Sequence, residues 1–145
     1  MRLRDVEQGL TEARKGLQKC NRVFVYGTLR QGEGNHRLLS KSTLVGVGKS
    51  VNKYCMTANG CPFVNKYIQQ SNIVGEVYQI PNVTEMYNLD MLESHPYWYY
   101  REIIQIKLKD GSIVDAWIYF NDDIGQDVIN NGDFVEFENS FDYFR

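Results

Sequence analysis

A short apolar run that breaks at a glycine is the most informative stretch of the chain: Arg22-Val-Phe-Val-Tyr-Gly-Thr-Leu-Arg30. The apolar run predicts a strand. Because the chain leaves that strand at Gly27, the next backbone N–H groups are not used in strand pairing. Such groups can hold a carboxylate or stabilise an oxyanion. Alone the motif is not specific, since strands often end in Gly-Thr.

The composition is that of an ordinary globular domain. The chain has 145 residues, of which 43% are hydrophobic and 23% charged, and this length favours one domain. These values exclude a disordered tail, a collagen-like fibre and a coiled-coil rod. The net charge of −2 lacks the basic excess of a duplex-binding protein. Aromatic residues reach 13%, which fits a core, a ligand pocket or a base-stacking surface equally well.

The three cysteines, Cys20, Cys55 and Cys61, form no CxxC pair. The odd count argues against a disulfide framework and against a structural zinc site. Cys55 and Cys61 could pair across a short loop, but free thiols are the favoured expectation. There is no run of 18 apolar residues to span a membrane. The N-terminus has scattered charges instead of the apolar centre of a signal peptide, so we expect a cytoplasmic protein.

The first 19 residues predict an amphipathic helix, with apolar residues every three or four positions and two glycines, Gly9 and Gly16, that weaken it. We expect this helix to pack on its own domain, with a dimer contact or a partner-binding helix as alternatives. Residues 1–20 are accordingly interpreted as an N-terminal helical extension, and residues 21–145 as the main domain.

The remaining pattern mixes strands and helices without strict alternation. Asn35 predicts the cap of a short helix over 36–39, and Asp110-Gly111 a hairpin turn. Residues 50–70 read as irregular with a turn at Gly60 and Pro62, residues 121–129 as a turn with one short helix, and 130–133 as a further turn. Strands are predicted at 43–49, 73–80, 100–109 and 112–120. The fold class is therefore α/β (mixed α+β), a small curled β-barrel or sheet with flanking helices.

Glu93 stands at an unexpected place on a predicted helix from Val83 to about Ser94. Asn82 and Glu85 supply the capping signature at its start. At about 100° per residue, Glu93 falls between Met86 and Leu89 in the apolar stripe. Burial raises the pKa of a carboxyl group, and a carboxylate poised near neutrality suits a general base. The alternative is a last-turn acid that reaches water at a frayed end.

Several other chemistries have little support. The aromatic run Pro96-Tyr-Trp-Tyr-Tyr-Arg101 could stack bases, as single-strand nucleic-acid binders do. The near-neutral charge balance argues against base stacking. A strand that enters the core explains the aromatic run as well. His36 and His95 are far apart and isolated, so they do not indicate a metal site. No Ser or Cys has an evident His–Asp partnership for covalent catalysis.

Taken together, these motifs resemble the gamma-glutamylcyclotransferase-like superfamily, and within it the gamma-glutamylamine cyclotransferase branch. The resemblance runs from about residue 22 to 137, with several motifs in the right order. The matching segments are Val23-Phe-Val-Tyr-Gly-Thr-Leu-Arg30, Gly34-Asn-His-Arg-Leu-Leu39, Val74-Gly-Glu-Val-Tyr78, Leu89-Asp-Met-Leu-Glu93, the pattern of Glu93, Pro96, Tyr99 and Arg101, Trp117-Ile-Tyr119, and Asn131-Gly-Asp-Phe134.

The resemblance implies that a gamma-glutamyl group is cyclised to 5-oxoproline with release of the attached amine. Glu93 would be the general acid/base, and the loop Tyr26, Gly27, Thr28 and Leu29 would hold the substrate's α-carboxylate and the oxyanion. Tyr99 and Tyr119 would form cavity walls that orient the substrate. This chemistry requires no metal or cofactor, and its partner is a small gamma-glutamyl molecule, not a nucleic acid or a membrane.

The chain also departs from the family pattern. About 20 residues precede the first strand, residues 50–70 have no clear counterpart, and Tyr100 could replace Tyr99 at the cavity. The leaving amine and the oligomeric state stay open. A binding module that keeps the fold and the cavity without turnover is the alternative function, and a single-strand nucleic-acid binder is a weaker one.

Overall fold

The computed structural model describes residues 2–143, with side chains as far as residue 140. It has the predicted mixed α+β class. In chain order the elements are α1 (Leu3–Lys19), β1 (Arg22–Val25), a one-turn 3₁₀ helix (His36–Leu39), β2 (Thr43–Asn59), β3 (Cys61–Asn65), β4 (Ser71–Gln79), α2 (Val83–Leu92), β5 (Tyr100–Leu108), β6 (Ile113–Phe120), β7 (Asp127–Val128) and α3 (Phe134–Tyr143).

Five strands close into a small barrel. The order is β2-β4-β1-β6-β5, and β5 returns to pair with β2 through Gly48 and Leu108. All of these pairs are antiparallel except β1 with β6. Closure needs a close approach at Gly48, because a Cβ there would lie 2.4 Å from the carbonyl oxygen of Lys107. The prediction of a small curled barrel or sheet is thus confirmed, and of the two forms the chain adopts the barrel.

The long strand β2 corrects the prediction that residues 50–70 are irregular. Its register with β4 shifts between Lys49 and Lys53, the pairing with β4 resumes as far as Tyr54, and the strand then continues to pair with β3 and β7. The sequence does not indicate that the strand continues here, because the buried residue at position 50 is a serine and not an apolar residue. The hydroxyl of Ser50 accepts a hydrogen bond from the backbone N–H of Ile73. The predicted turn is present as a β2–β3 hairpin at Gly60, whose φ is +79°.

Two apolar clusters lie on opposite sides of the barrel wall. Along β1, Phe24 belongs to the barrel interior, while Val23 and Val25 belong to the cluster that also contains Met86 and Leu89 of α2. Neighbouring β6 alternates in the same way, with Ile118 inside and Trp117 outside. Because β1 is covered on both faces, its sequence is a continuous apolar run.

Helix α1 forms over the predicted residues and packs on α2. The glycines that weaken its helix propensity mark its close contacts. A Cβ on Gly9 would lie 2.7 Å from the ring of Tyr87, and one on Gly16 would lie 2.6 Å from the guanidinium group of Arg101. Among the described residues, no helix has the length and apolar character needed to cross a membrane.

Two further segments differ from their predictions. Residues 121–129 contain the short strand β7 in place of a short helix. Helix α2 ends at Leu92, slightly earlier than predicted, because Ser94 adopts the left-handed conformation with φ of +52°.

The N-cap of α2 is as predicted, since the side chain of Asn82 accepts a hydrogen bond from the N–H of Glu85 at 3.0 Å. The three cysteines are free, also as predicted.

Candidate active site

A cavity of about 200 Å³ lies where the end of β1, the β2–β3 hairpin and the end of α2 meet. All seven candidate site residues line it: Tyr26, Gly27, Thr28, Leu29, Glu93, Tyr99 and Tyr119. At about 30 Å³ per water molecule, this volume holds several waters or a small organic group. Seven further residues complete the wall: Phe24, Val25, Asn35, Cys61, Pro62, Leu92 and Trp98.

Sequence reasoning missed some of these wall residues. Cys61 and Pro62 belong to the segment predicted as irregular, so nothing in the sequence placed them near Tyr26. Gly27 explains how the hairpin approaches so closely, because a Cβ at this position would lie 2.7 Å from Cγ of Pro62. The sequence predicts Asn35 as the cap of the short helix, but its side chain makes no capping hydrogen bond. Its side-chain N–H₂ group instead donates to the hydroxyl oxygen of Thr28 at 2.9 Å.

The loop after β1 is held in shape by several hydrogen bonds. The backbone N–H of Asn35 donates to the carbonyl of Thr28 at 2.9 Å, and that of Arg30 donates to the carbonyl of Gly27 at 3.0 Å. Among the described residues, the backbone N–H groups of Gly27, Thr28 and Leu29 have no such acceptor. The loop thus has three backbone donors without an acceptor among the described residues, and all three residues line the cavity.

A buried charge network anchors the far side of this loop. Glu76 is 6% exposed, and its carboxylate accepts from Nε of Arg30 at 3.0 Å and from the backbone N–H of Gln31 at 2.8 Å. Tyr78 donates to the same carboxylate at 2.9 Å. Arg30 also reaches Asp133 at 3.0 Å. Because a buried carboxylate with these donors is fully paired, the network stabilises the loop and leaves no free charge for a ligand.

Glu93 lies at the C-cap of α2, is half-buried and belongs to the cavity lining. Its carboxyl group forms neither a hydrogen bond nor an ion pair with any described residue. Burial alone raises the pKa of this group from its ordinary 4.5 to about 7. A carboxyl group with this pKa can accept and return a proton near neutral pH.

Two tyrosines form the wall next to Glu93. Tyr26 donates its hydroxyl hydrogen to the carbonyl of Tyr119 at 2.6 Å, and Tyr99 donates to the carbonyl of Pro62 at 2.8 Å. Burial raises the pKa of both hydroxyl groups, and the negative charge of Glu93 adds to this. Both hydroxyls are therefore neutral and committed to backbone acceptors.

Tyr99, not Tyr100, belongs to the cavity. Tyr99 is 4% exposed and lies in the wall. The hydroxyl of Tyr100 instead donates to the carboxylate of Asp122, away from Glu93.

Tyr119 connects the cavity to a second buried network. Its hydroxyl donates to Oδ1 of Asp90 at 2.5 Å. Asp90 also receives two hydrogen bonds from Arg101, at 2.8 and 3.0 Å. Arg101 lies over the ring of Trp117 and donates to the carbonyl of Glu12 in α1 at 3.1 Å. These contacts tie together α1, α2, β5 and β6 beneath the cavity.

The fold and the sequence together define the class of protein. The sequence profile of the family described as gamma-glutamyl cyclotransferase, AIG2-like, matches residues 23–136. The chain belongs to this family. The match begins after α1, so the N-terminal helix lies outside it.

Individual relatives agree with this assignment. A Methanocaldococcus jannaschii protein, provisionally named a gamma-glutamylcyclotransferase, is 39% identical over 116 residues, which cover 79% of this chain and 96% of the relative. The Danio rerio gamma-glutamylaminecyclotransferase B is 27% identical over 134 residues, covering 83% and 70%. Among solved structures, a mouse AIG2-like protein has the same fold, with a TM-score of 0.69 and 22% identity over 78% of this chain and 86% of that one.

Proposed function

We propose that the protein is a gamma-glutamyl cyclotransferase that converts a small gamma-glutamyl amine or peptide to 5-oxoproline and the free amine. One observation carries the proposal: Glu93, whose carboxyl group is unpaired among the described residues, and Gly27 to Leu29, whose N–H groups have no described acceptor, line one cavity. A base and an oxyanion site in one cavity are what acyl transfer to an internal amine requires.

In the first step, the substrate's α-amino nitrogen attacks the γ-carbonyl carbon and forms the ring C–N bond. The nitrogen becomes acidic as it attacks, and Glu93 takes its proton. The carbonyl oxygen then carries the negative charge, and N–H groups of the Gly27–Leu29 loop stabilise it. Such donors are each worth about 10²–10³ in rate in comparable sites.

In the second step, the tetrahedral intermediate expels the amine. The C–N bond to the leaving group breaks, and Glu93 returns the proton to the departing nitrogen. The products are 5-oxoproline and the neutral amine. Glu93 ends the cycle in its starting state, and no water is consumed.

The substrate's α-carboxylate must also find partners. Among the residues that the structure describes, no Lys or Arg lines the cavity, and the nearby Arg30 is occupied by Glu76 and Asp133. The remaining N–H groups of the loop are therefore the donors that we assign to the α-carboxylate. Tyr26, Tyr99 and Tyr119 shape the wall, and because their hydroxyls are engaged elsewhere, we assign them to packing and orientation of the glutamyl chain.

The test is release of 5-oxoproline from gamma-glutamyl amines, including gamma-glutamyl-ε-lysine. We expect turnover by the native protein and a loss of about 10²–10⁴-fold in Glu93→Gln. Glu7→Gln, an exposed position on α1, is the matched control and should retain full activity. Normal turnover by Glu93→Gln would contradict the assignment of the base. Saturable binding of these compounds without any 5-oxoproline would favour the alternative of a binding module.

A further inference from the structure

Trp98 is the exposed member of the cavity lining. Its side chain is 47% exposed, whereas Tyr26, Tyr99 and Tyr119 in the same lining are at most 7% exposed. The cavity therefore has a buried floor and a rim, and the indole of Trp98 lies at the rim. Neither the motifs of the sequence nor the proposed chemistry uses this residue.

The depth of the cavity orients the substrate. Both the carboxyl group of Glu93 and the N–H groups of the Gly27–Leu29 loop must reach the glutamyl part, which therefore fills the floor. The leaving amine extends from the scissile bond toward the rim. We propose that Trp98 binds the side chain of the leaving amine, and that the protein prefers gamma-glutamyl derivatives of amines bearing an aromatic or apolar group. This inference rests on the proposed function.

Two neighbouring aromatic rings fix the position of the Trp98 indole. Its ring meets Phe63 edge-on with centroids 6.2 Å apart, and it meets the ring of Tyr99 at 4.9 Å. These contacts fix the indole while nearly half of its surface stays open. An aromatic group that stacks on a fixed ring loses little side-chain entropy on the protein's side.

The charges around the cavity point to the same class of amine. The rings that contact Trp98, those of Phe63 and Tyr99, are aromatic, and as far as the structure describes the chain, the lining contains no Lys or Arg. A leaving group with its own carboxylate would find no cation among the described lining residues and would be repelled by ionised Glu93. We therefore expect such substrates, gamma-glutamyl-ε-lysine among them, to be turned over less efficiently than those with an apolar leaving group. An uncharged apolar group avoids that repulsion and gains contact area at Trp98.

The experiment compares kcat/KM for gamma-glutamylbenzylamine and gamma-glutamylethylamine in the native protein, Trp98→Ala and Tyr97→Ala. Tyr97 is the matched control, because it is the neighbouring aromatic, is 94% exposed and lies outside the cavity lining. We expect the native protein to favour the benzyl compound about tenfold, which corresponds to partial burial of one ring. Trp98→Ala should lose that preference and Tyr97→Ala should keep it.

Equal kcat/KM for the two compounds in the native protein, or an equal loss for both in Trp98→Ala, would overturn the inference and leave the proposed function intact. If neither these two compounds nor gamma-glutamyl-ε-lysine yields 5-oxoproline, the proposed function fails by itself. In that case calorimetric binding of the same two compounds still tests the subsite. A benzyl preference that Trp98→Ala removes supports the inference, and its absence overturns it.

Discussion

The hydroxyl of Tyr119 donates a 2.5 Å hydrogen bond to Asp90, although the ring of Tyr119 lines the cavity. One residue thus forms part of the cavity wall and part of the buried Asp90–Arg101 ion pair below it. The ring and the hydroxyl have separable roles. The wall needs the ring, whereas the hydroxyl stabilises the fold.

Tyr119→Phe tests that separation. The variant keeps the ring and removes one hydrogen bond to a buried carboxylate, which is worth about 1.5–3 kcal/mol. We expect the free energy of unfolding, measured in urea, to fall by about this amount while 5-oxoproline formation continues. Loss of turnover at unchanged stability would contradict the assignment, since the hydroxyl would then act on the substrate.

The ion pair itself should matter more for stability. Asp90 and Arg101 are 5% and 8% exposed, and Asp90→Ala leaves the guanidinium group buried without its partner. We expect a cost of about 3–5 kcal/mol in urea unfolding. The comparison is Lys66→Ala, which breaks the more exposed Lys66–Glu102 pair and should cost about 1 kcal/mol or less. Similar costs for the two variants would contradict this account of the network.

Glu93 should reduce stability while it serves activity. Its pKa is raised to about 7 in the folded protein, so between about pH 4.5 and 7 the folded state binds more protons than the unfolded state. The free energy of unfolding should therefore fall as the pH rises through this window, by at most about 3 kcal/mol. Glu93→Gln should lack this component and be more stable than the native protein above pH 7. Identical pH profiles for the two proteins would contradict a raised pKa.

Gly27 should be intolerant of a side chain. A Cβ there would lie 2.7 Å from Cγ of Pro62, so Gly27→Ala must shift either the loop or the hairpin. Because a displacement of about 1 Å at a reacting centre can cost about 10²-fold in rate, we expect a loss of that order in kcat/KM. Gly34→Ala is the control: a Cβ at Gly34 meets nothing within 4 Å, and its activity should be retained. Equal activity of the two variants would show that the loop geometry is not critical.

The sequence predicted most local elements because their signals are local. The Asp110-Gly111 turn, the Asn82 cap and the three-to-four spacing of α1 each depend on neighbouring residues only. The continuation of β2 past Lys49 could not be predicted in this way. There a buried serine replaces an apolar residue, and the hydrogen bond from Ile73 that explains it comes from another strand.

The candidate residues were identifiable from motifs, but their meeting in one cavity was not visible from spacing. The loop at Gly27 and the carboxyl group of Glu93 are brought together by the pairing of β1 in the barrel and by the packing of α2. The turn at Gly60 and Pro62 was predicted, but no sequence signal placed Cys61 or Pro62 at the cavity. The aromatic residues serve both core and cavity: Trp117 is buried in a core cluster only, whereas Phe24 and Tyr26 belong to the barrel core and also line the cavity.

The central claim is that Glu93 acts as the general base with a pKa near 7. The most direct measurement is the pH dependence of kcat/KM for 5-oxoproline formation, which reports the ionisations of the free enzyme and the free substrate. We predict a rise with pH through about 7 that is present in the native protein and absent from the residual activity of Glu93→Gln. The same rise in both proteins would assign it to the substrate's amino group and contradict the claim.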